Sequence, residues 1–395
     1  EGNDMSLVYY FTHWLVPALG AKCLGLKTGW LTGNILLLLW DFAGIVLSAL
    51  LIIHLTKAYK SVSKTVMVIG FIALWSGMNY VGHAFSTSLG FSSGPFNLSS
   101  NEGWLDYWRN GFDCSYLYRS NMDALSQVYN QTIIPWIAVP LFLENKKIKN
   151  MAFVGLCILP YAPIPFVGMF MIAVGYALSV GWKEWKHNKA EEFTFNHIFS
   201  FQNISAALTI LPVFGSFFVM NTAVSENSSR ILFVPLEAFD LARVMTLILF
   251  YMVEFGVYCI LIYPRYKKCP LYWIVIISLI MIPNFRIGGG RDFCMNASLP
   301  ALYMLMIFVL GYLFEIEFNE NNKSTVIAAC CVFTLAFASP VSDVMSDIQQ
   351  IREVEKFPIV IDDFKTFSDK ELEDSENFLV KDQEEKFFYK YLGRN

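Results

Sequence analysis

Asn34-Ile-Leu-Leu-Leu-Leu-Trp-Asp-Phe-Ala-Gly-Ile-Val-Leu-Ser-Ala-Leu-Leu-Ile-Ile-His-Leu55 is an apolar run broken only by Asp41, His54 and a few small polar residues. It matches the ~20 residues that cross the hydrocarbon core of a bilayer. Lys57, Lys60 and Lys64 follow at once, and runs at 240–262 and 300–313 have the same character. Lysine crowds other short loops too: Lys146, Lys147 and Lys149; Lys183, Lys186 and Lys189; Lys267 and Lys268, whereas Lys22 and Lys27, near the first apolar stretch, are exceptions. The loops that alternate with these hold Arg109, Arg119, Arg286 and Arg291 beside aromatic residues, glycines and carboxylates. Positive charge collects on the cytoplasmic side of a membrane protein. The lysine loops are therefore placed inside and the arginine loops outside, with the chemistry on the outer face.

Composition agrees with a polytopic membrane protein. The 395 residues are 55% hydrophobic and 16% charged, with a mean hydropathy of +0.46; soluble domains average about 25% charged. The net charge of −4 and the scatter of basic residues over separate loops imply no nucleic-acid partner. Eight cysteines are too few for a disulfide framework; Cys114 and Cys294 both fall on the outer face and are read as unpaired thiols, with a disulfide between them as the alternative. Glu1-Gly2-Asn3-Asp4 runs into an apolar stretch with no signal-peptide pattern, so the start reads as the outer end of a first loop.

The expected fold is all-α and integral to the membrane, with about ten membrane helices and with outer and inner interfacial helices. Residues 6–22 read as the outer interfacial helix. Helices at 34–55 and 65–82 lead to a large outer loop, 83–131. A short crossing at 132–144 follows. Residues 151–181, with Pro160, Pro163 and Pro165, read as two short helices joined by a proline turn. Residues 190–203, with Phe193, Phe195, Phe199 and Phe201, read as the inner interfacial helix. Crossings follow at 205–222, 240–262, 271–283, 300–317 and 325–339. The membrane domain thus spans 1–339. Residues 340–395, with fourteen Asp or Glu against eight Lys or Arg, form a small acidic extracytoplasmic tail. Its Phe387-Phe-Tyr-Lys-Tyr-Leu392 cluster is able to dock on the membrane domain.

The strongest chemical motif is Asn284-Phe-Arg-Ile-Gly-Gly-Gly-Arg-Asp-Phe-Cys-Met-Asn-Ala-Ser-Leu-Pro300. Gly288, Gly289 and Gly290 let the backbone approach a ligand closely. Arg286 and Arg291 suit phosphate oxygens, and the helix expected to start at 296–300, with Asn296 and Ser298, offers free N–H groups to an anion. Asp292 can take a proton, bind a metal ion or hold one of the arginines. The plainer alternative is a turn whose arginines touch lipid headgroups. A second group in the long loop, His83, Trp104, Asp106 and Arg109, offers aromatic faces and hydrogen-bonding groups for a sugar, or else an interfacial aromatic belt. Asp4 leads the first interfacial helix. Among ionisable groups within spans Glu254 is deepest, and a hydrogen-bonded structural role competes there with a proton relay.

Leu7-Val-Tyr-Tyr10 through Val16-Pro-Ala-Leu19, Ile134-Pro-Trp136, Arg291–Pro300 and Phe387–Leu392 resemble the motifs of a family of bacterial multi-pass membrane proteins. Its usual Asn-Asp-Phe-x-Met-Arg-x-Ser-Ile-Pro has Arg291 here in place of Asn and Asn296 in place of Arg, which moves the positive charge across the aspartate. The layout is more distantly similar to the GT-C class of membrane glycosyltransferases. That resemblance implies a sugar donor carried on polyprenyl phosphate, an envelope glycan, lipid or protein as acceptor, and a first-loop acid at or before Asp4 or an acid at Asp292 as catalyst. It also implies a place in the bacterial cytoplasmic membrane among membrane lipids. No cofactor is required, and a divalent metal ion is left open. The alternative is a transporter or flippase for a lipid-linked or anionic solute, using Glu254 and the broken 151–181 hairpin.

Overall fold

The structure, a computed structural model, describes residues 5–24, 30–88, 107–109, 115–220, 231–233, 241–287, 292–316, 322–354, 379–381 and 386–391. It is an all-α bundle, with three short antiparallel strand pairs, two of which link distant segments. Among the described residues six helices are long and apolar enough to cross a membrane: Leu31–Leu55, Pro163–Lys186, Phe201–Val219, Val244–Tyr266, Asp292–Glu315 and Lys323–Gln349. Val62–Leu74 and Pro270–Asn284 are shorter apolar helices. The expected count of about ten is not reached, because polar residues or breaks divide several of the segments read as whole crossings.

The first helix, α1 (Thr12–Cys23), runs antiparallel along α2 (Trp30–Leu55). His13 meets Asp41 at one end of the pair, and Gly20 faces Leu36 at the other. It is thus packed on a spanning helix. The expected helix 65–82 is broken: α3 (Val62–Leu74) and α4 (Asn79–Ser88) flank an extended stretch at 75–78. Several of the freed backbone groups are met from elsewhere, as burial demands. Asn121 donates through its backbone N–H to the Trp75 carbonyl (2.9 Å) and through Nδ2 to that of Ile72 (2.9 Å). The Tyr258 hydroxyl donates to Ser76 (2.6 Å), and Met78 N–H to Val253 (3.3 Å). A Cβ at Gly77 would overlap the buried Glu254 carboxylate, so the break requires glycine there.

Strands β2 (Tyr107–Arg109) and β3 (Ser115–Leu117) form a hairpin that leads into α5 (Asn121–Glu144), eleven residues earlier than the expected crossing at 132. Buried Asn130, Gln131 and Thr132 deprive α5 of an apolar outer half. Val128 leaves helical geometry (φ −139, ψ 39), and the Thr132 hydroxyl closes the kink on the carbonyls of Ala124 and Val128 (2.9 Å each). The proline-rich stretch does divide in two: α6 (Ile148–Leu156), a turn over 157–162, then α7 (Pro163–Lys186) with proline at its first position. Whereas two short helices were expected, α7 is itself of spanning length.

At the lysine-bearing end, the Glu184 carboxylate accepts from the backbone N–H groups of Glu191, Glu192 and Phe193 (2.7–3.2 Å). A single turn follows, α8 (Phe195–Ile198), then α9 (Phe201–Ile210), a π-helical turn over Leu211–Gly215 and α10 (Ser216–Val219). Phe195, Phe199 and Phe201 are exposed, as a membrane-facing patch requires. Next come α11 (Leu241–Tyr251), a π-helical turn Met252–Gly256 that carries Glu254, α12 (Val257–Tyr266) and α13 (Pro270–Met281).

The short α14 (Asp292–Ala297) and the central helix α15 (Leu299–Glu315) complete the core, with every residue from Phe293 to Leu310 buried. Trp136 and Tyr303 stack at 4.8 Å; the Ser48 hydroxyl donates to the Trp136 carbonyl (2.8 Å) and lies 2.6 Å from Tyr303 Oη. The last spanning segment, α16 (Lys323–Ala336) and α17 (Ala338–Val354), continues well past the expected boundary at 340. Beyond it, β6 (Leu379–Lys381) pairs with β1 (Met5–Leu7). A final turn, α18 (Phe387–Tyr391), packs Phe388 edge-on to Phe217 at 5.2 Å, beside Val8 and Met220. The third pair joins β4 (Ile231–Phe233) to β5 (Phe285–Ile287).

Candidate functional site

Polar side chains concentrate at the arginine-bearing end of the bundle, where the β2–β3 hairpin docks on α14. The Cys294 thiol, free and buried, reaches the Leu117 carbonyl at 3.5 Å and fixes that docking. Tyr118 follows, fully buried, its hydroxyl donating to Leu279 (2.5 Å); burial raises its phenol above the ordinary range. Arg119 and Asp123 then pair one turn apart, both largely buried. Ser120 caps α5 by accepting from Asp123 N–H (2.9 Å) and donates to the Asp343 carboxylate on α17 (2.5 Å). Burial pushes the Asp123 carboxyl up, against the lowering influence of Arg119. The same Arg119 charge reaches Asp292, the first residue of α14.

Beneath Asp292 lies a second polar layer. Tyr10 is within electrostatic reach of Asp292, and its hydroxyl accepts from Gln131 Nε2 (2.9 Å). Asn296, one turn after Asp292, is 1% exposed. Among the described residues, Asn296 Oδ1, Gln131 Oε1, Asn130 Nδ2 and Arg119 Nε are buried without a hydrogen-bond partner. Buried polar atoms are rarely left so. Arg119, Asn296 and, through Tyr10, Gln131 thus bring buried hydrogen-bonding groups to one carboxylate, as polar ligand sites do.

Beside Tyr10, a ring of aromatic residues encloses a histidine hydrogen-bonded to an aspartate. Tyr9 stacks on Tyr10 at 4.0 Å, and Trp14 donates to the Tyr129 hydroxyl (3.1 Å). His13 Nε2 lies 2.6 Å from Asp41 Oδ1, with the His13 ring wholly buried against Trp14, Tyr129 and Tyr161. Asp41→Ala removes the one hydrogen-bonding partner that the buried His13 ring has among the described residues and is expected to cost about 1–3 kcal/mol. The check is the thermal midpoint of detergent-purified protein; an unchanged midpoint refutes the structural weight given to the pair.

Several of the residues singled out in the sequence now have places. Asp292 and Asn296 stand together in the polar layer. Ser298 does not join them: it is fully buried and its hydroxyl donates to the Met295 carbonyl (3.0 Å). The helix expected to start at 296–300 is α15, which begins at Leu299 directly after Ser298. Ser298 keeps helical geometry (φ −75, ψ −21), so α14 runs almost directly into α15. Arg286 is in β5 opposite Leu232, Arg109 in β2 opposite Ser115, and His83 within α4. Asp4, Trp104, Asp106, Gly289, Gly290 and Arg291 lie outside the described residues. Asn284 is occupied structurally, donating to Tyr251 Oη (2.8 Å) and the Ile280 carbonyl (2.6 Å).

The sequence reading passed over His13, Gln131, Asp123 and Asp343. Only Arg119–Asp123 carried a local signal, the i, i+4 spacing of opposite charges. Among the described residues no three His, Cys, Asp or Glu side chains converge as metal ligands. No protein-family model matches the chain, and no curated protein or solved structure does either.

Proposed function

We propose that this chain is a membrane glycosyltransferase that moves a sugar from a polyprenyl-phosphate carrier to a cell-envelope glycan, lipid or protein. It would act at the arginine-bearing face of the bacterial cytoplasmic membrane. The observation that supports this reading is the buried layer of unpartnered polar atoms around Asp292. Such a layer suits the hydroxyls of a sugar better than an apolar cargo. In the proposed reaction Asp292 takes the proton of the acceptor hydroxyl as that oxygen attacks the anomeric carbon. The bond from that carbon to the phosphate oxygen breaks, and polyprenyl phosphate leaves with the electron pair. Arg291 and Arg286, on the glycine-rich segment, would receive the phosphate bidentately, with Arg119 adding charge behind Asp292. His83, Trp104, Asp106 and Arg109 belong to the loop that would meet the acceptor, and Asp4 is a second candidate base.

The test uses membranes carrying the full chain and a radiolabelled polyprenyl-phosphate sugar. Arg291→Ala should lower transfer roughly tenfold to a hundredfold at equal protein level, the value of one lost charged hydrogen bond. Unchanged transfer would remove the glycine-rich segment from the site. Transport is the second reading. What favours it is the helix break at 75–78 lying against the π-helical turn that holds Glu254, since interrupted helices and π turns recur at transport sites. Flux of a lipid-linked sugar in proteoliposomes, lost in Glu254→Gln and unaccompanied by transfer, would establish that reading instead.

A further inference from the structure

Three lysines from three different segments line one cavity of about 420 Å3 at the lysine-bearing end of the bundle. Lys57 comes from the turn after α2, Lys64 from α3 and Lys146 from the turn after α5. The carboxylate in the lining, Glu315, is already neutralised: Arg265 grips it through Nε (2.6 Å) and Nη2 (3.0 Å). A carboxylate nearby, Glu144, faces His54 at 3.3 Å.

Helices that end here turn partial negative charge toward the cavity, and lysines answer such ends. That need is met by other groups. Lys64 donates to the Phe314 carbonyl at the end of α15 (2.9 Å), and the Thr56 hydroxyl donates to Ile52 at the end of α2 (2.7 Å). Lys57 and Lys146 have no ion pair or hydrogen bond to their ammonium groups among the described residues. Lys57 also sits in the left-handed region (φ 56, ψ 28), which favours glycine. Helices commonly end on such a residue, and here the Lys57 N–H closes α2 on the His54 carbonyl (3.1 Å). Opposite the lysines, Leu55, Leu143, Ile307 and Phe308 form an apolar wall.

We propose that this cavity is a binding site for a phosphate-bearing anion, held between the ammonium groups of Lys57 and Lys146 with Lys64 as a fixed wall. The chemistry is that of a phosphodiester or diphosphate. An anionic lipid headgroup in the adjoining leaflet would supply it with its stem on the apolar wall; a soluble diphosphate would enter from the aqueous side.

The test is ligand-induced thermal stabilisation of the full chain in detergent, titrated separately with phosphatidylglycerol, with phosphatidylcholine and with sodium pyrophosphate. One variant is Lys57→Gly/Lys146→Gln. Glycine relaxes the strained turn, so this variant should keep its fold without ligand. The control is Lys183→Gln/Lys186→Gln, which removes the same charge from exposed α7 positions at the same end. A shift with phosphatidylglycerol and none with phosphatidylcholine identifies a lipid headgroup; a shift with pyrophosphate identifies a soluble anion. In either case the cavity variant should need at least tenfold more ligand, and the control less than twofold more. Equal weakening in both variants would leave only general attraction to lysines and overturn the site, as would the absence of any shift in the wild type. Should Lys57→Gly/Lys146→Gln prove unstable, Lys146→Gln alone carries the comparison against Lys183→Gln.

Discussion

Asp292→Asn should lower sugar transfer by about 10²–10⁴-fold, the contribution of a positioned general base, with no loss of protein and no change in unfolding temperature. The asymmetry between the two readouts follows from the geometry. Among the described residues no hydrogen bond or ion pair engages the Asp292 carboxylate, so an amide of the same shape breaks nothing in the fold. What is lost is a charge that stands near Arg119 and Tyr10 over a layer of unpartnered polar atoms. Arg119→Ala would be a poorer test, because it strands the largely buried Asp123 and unsettles the start of α5. Transfer by Asp292→Asn within threefold of wild type would exclude Asp292 as the base and leave Asp4 to be tested.

Gly168→Leu should prevent the bundle from assembling, at a cost above about 3 kcal/mol, beyond the usual overpacking penalty because no backbone can yield. A Cβ at Gly168 would overlap the carbonyl of Ala297, so α7 and α14 touch backbone to backbone. Small residues allow such contacts between membrane helices. Around the contact Ile164, Val167 and Met171 close on Phe293 and Ala297. Separating the helices would open that cluster and displace Asp292 and Asn296. The readout is the monodisperse fraction after size-exclusion chromatography in detergent. Gly155→Ala serves as the control: a Cβ at Gly155 meets nothing, and alanine there should change stability by less than about 1 kcal/mol. A monodisperse Gly168→Leu protein with normal melting would refute the contact.

What the sequence makes legible is what depends on nearby residues. The apolar run of α2 marks its span, and Pro160 and Pro163 mark the turn at 157–162. The exposed phenylalanines of 195–201 follow from their own spacing among polar neighbours. What escapes it is made by distant partners. No proline announces the break at 75–78; it depends on Asn121, Tyr258 and the Glu254 turn closing around Gly77. His13 and Asp41 each look ordinary until α1 lies along α2. The shift to acidic composition at 340 looked like the end of the membrane domain, yet α17 carries helix onward and brings Asp343 to Ser120. Asp292 and Asn296 were visible because one motif holds both, whereas the polar layer they join comes from α5 and the segment before α1.

The small strand pairs also fix an arithmetic on the chain. Backbone hydrogen bonds cannot span a bilayer core of ~30 Å, so paired strands must share one side of it. Ile231–Phe233 pairs with Phe285–Ile287, and the segment between them contains Val244–Tyr266, long enough to traverse. If that segment traverses, the return falls to Pro270–Asn284, short as it is, with one side of it buried in the bundle. Met5–Leu7 and Leu379–Lys381 impose the same rule on nearly the whole length: between them the number of traverses is even. No further helix can be assigned to the lipid interior without a second to bring the chain back.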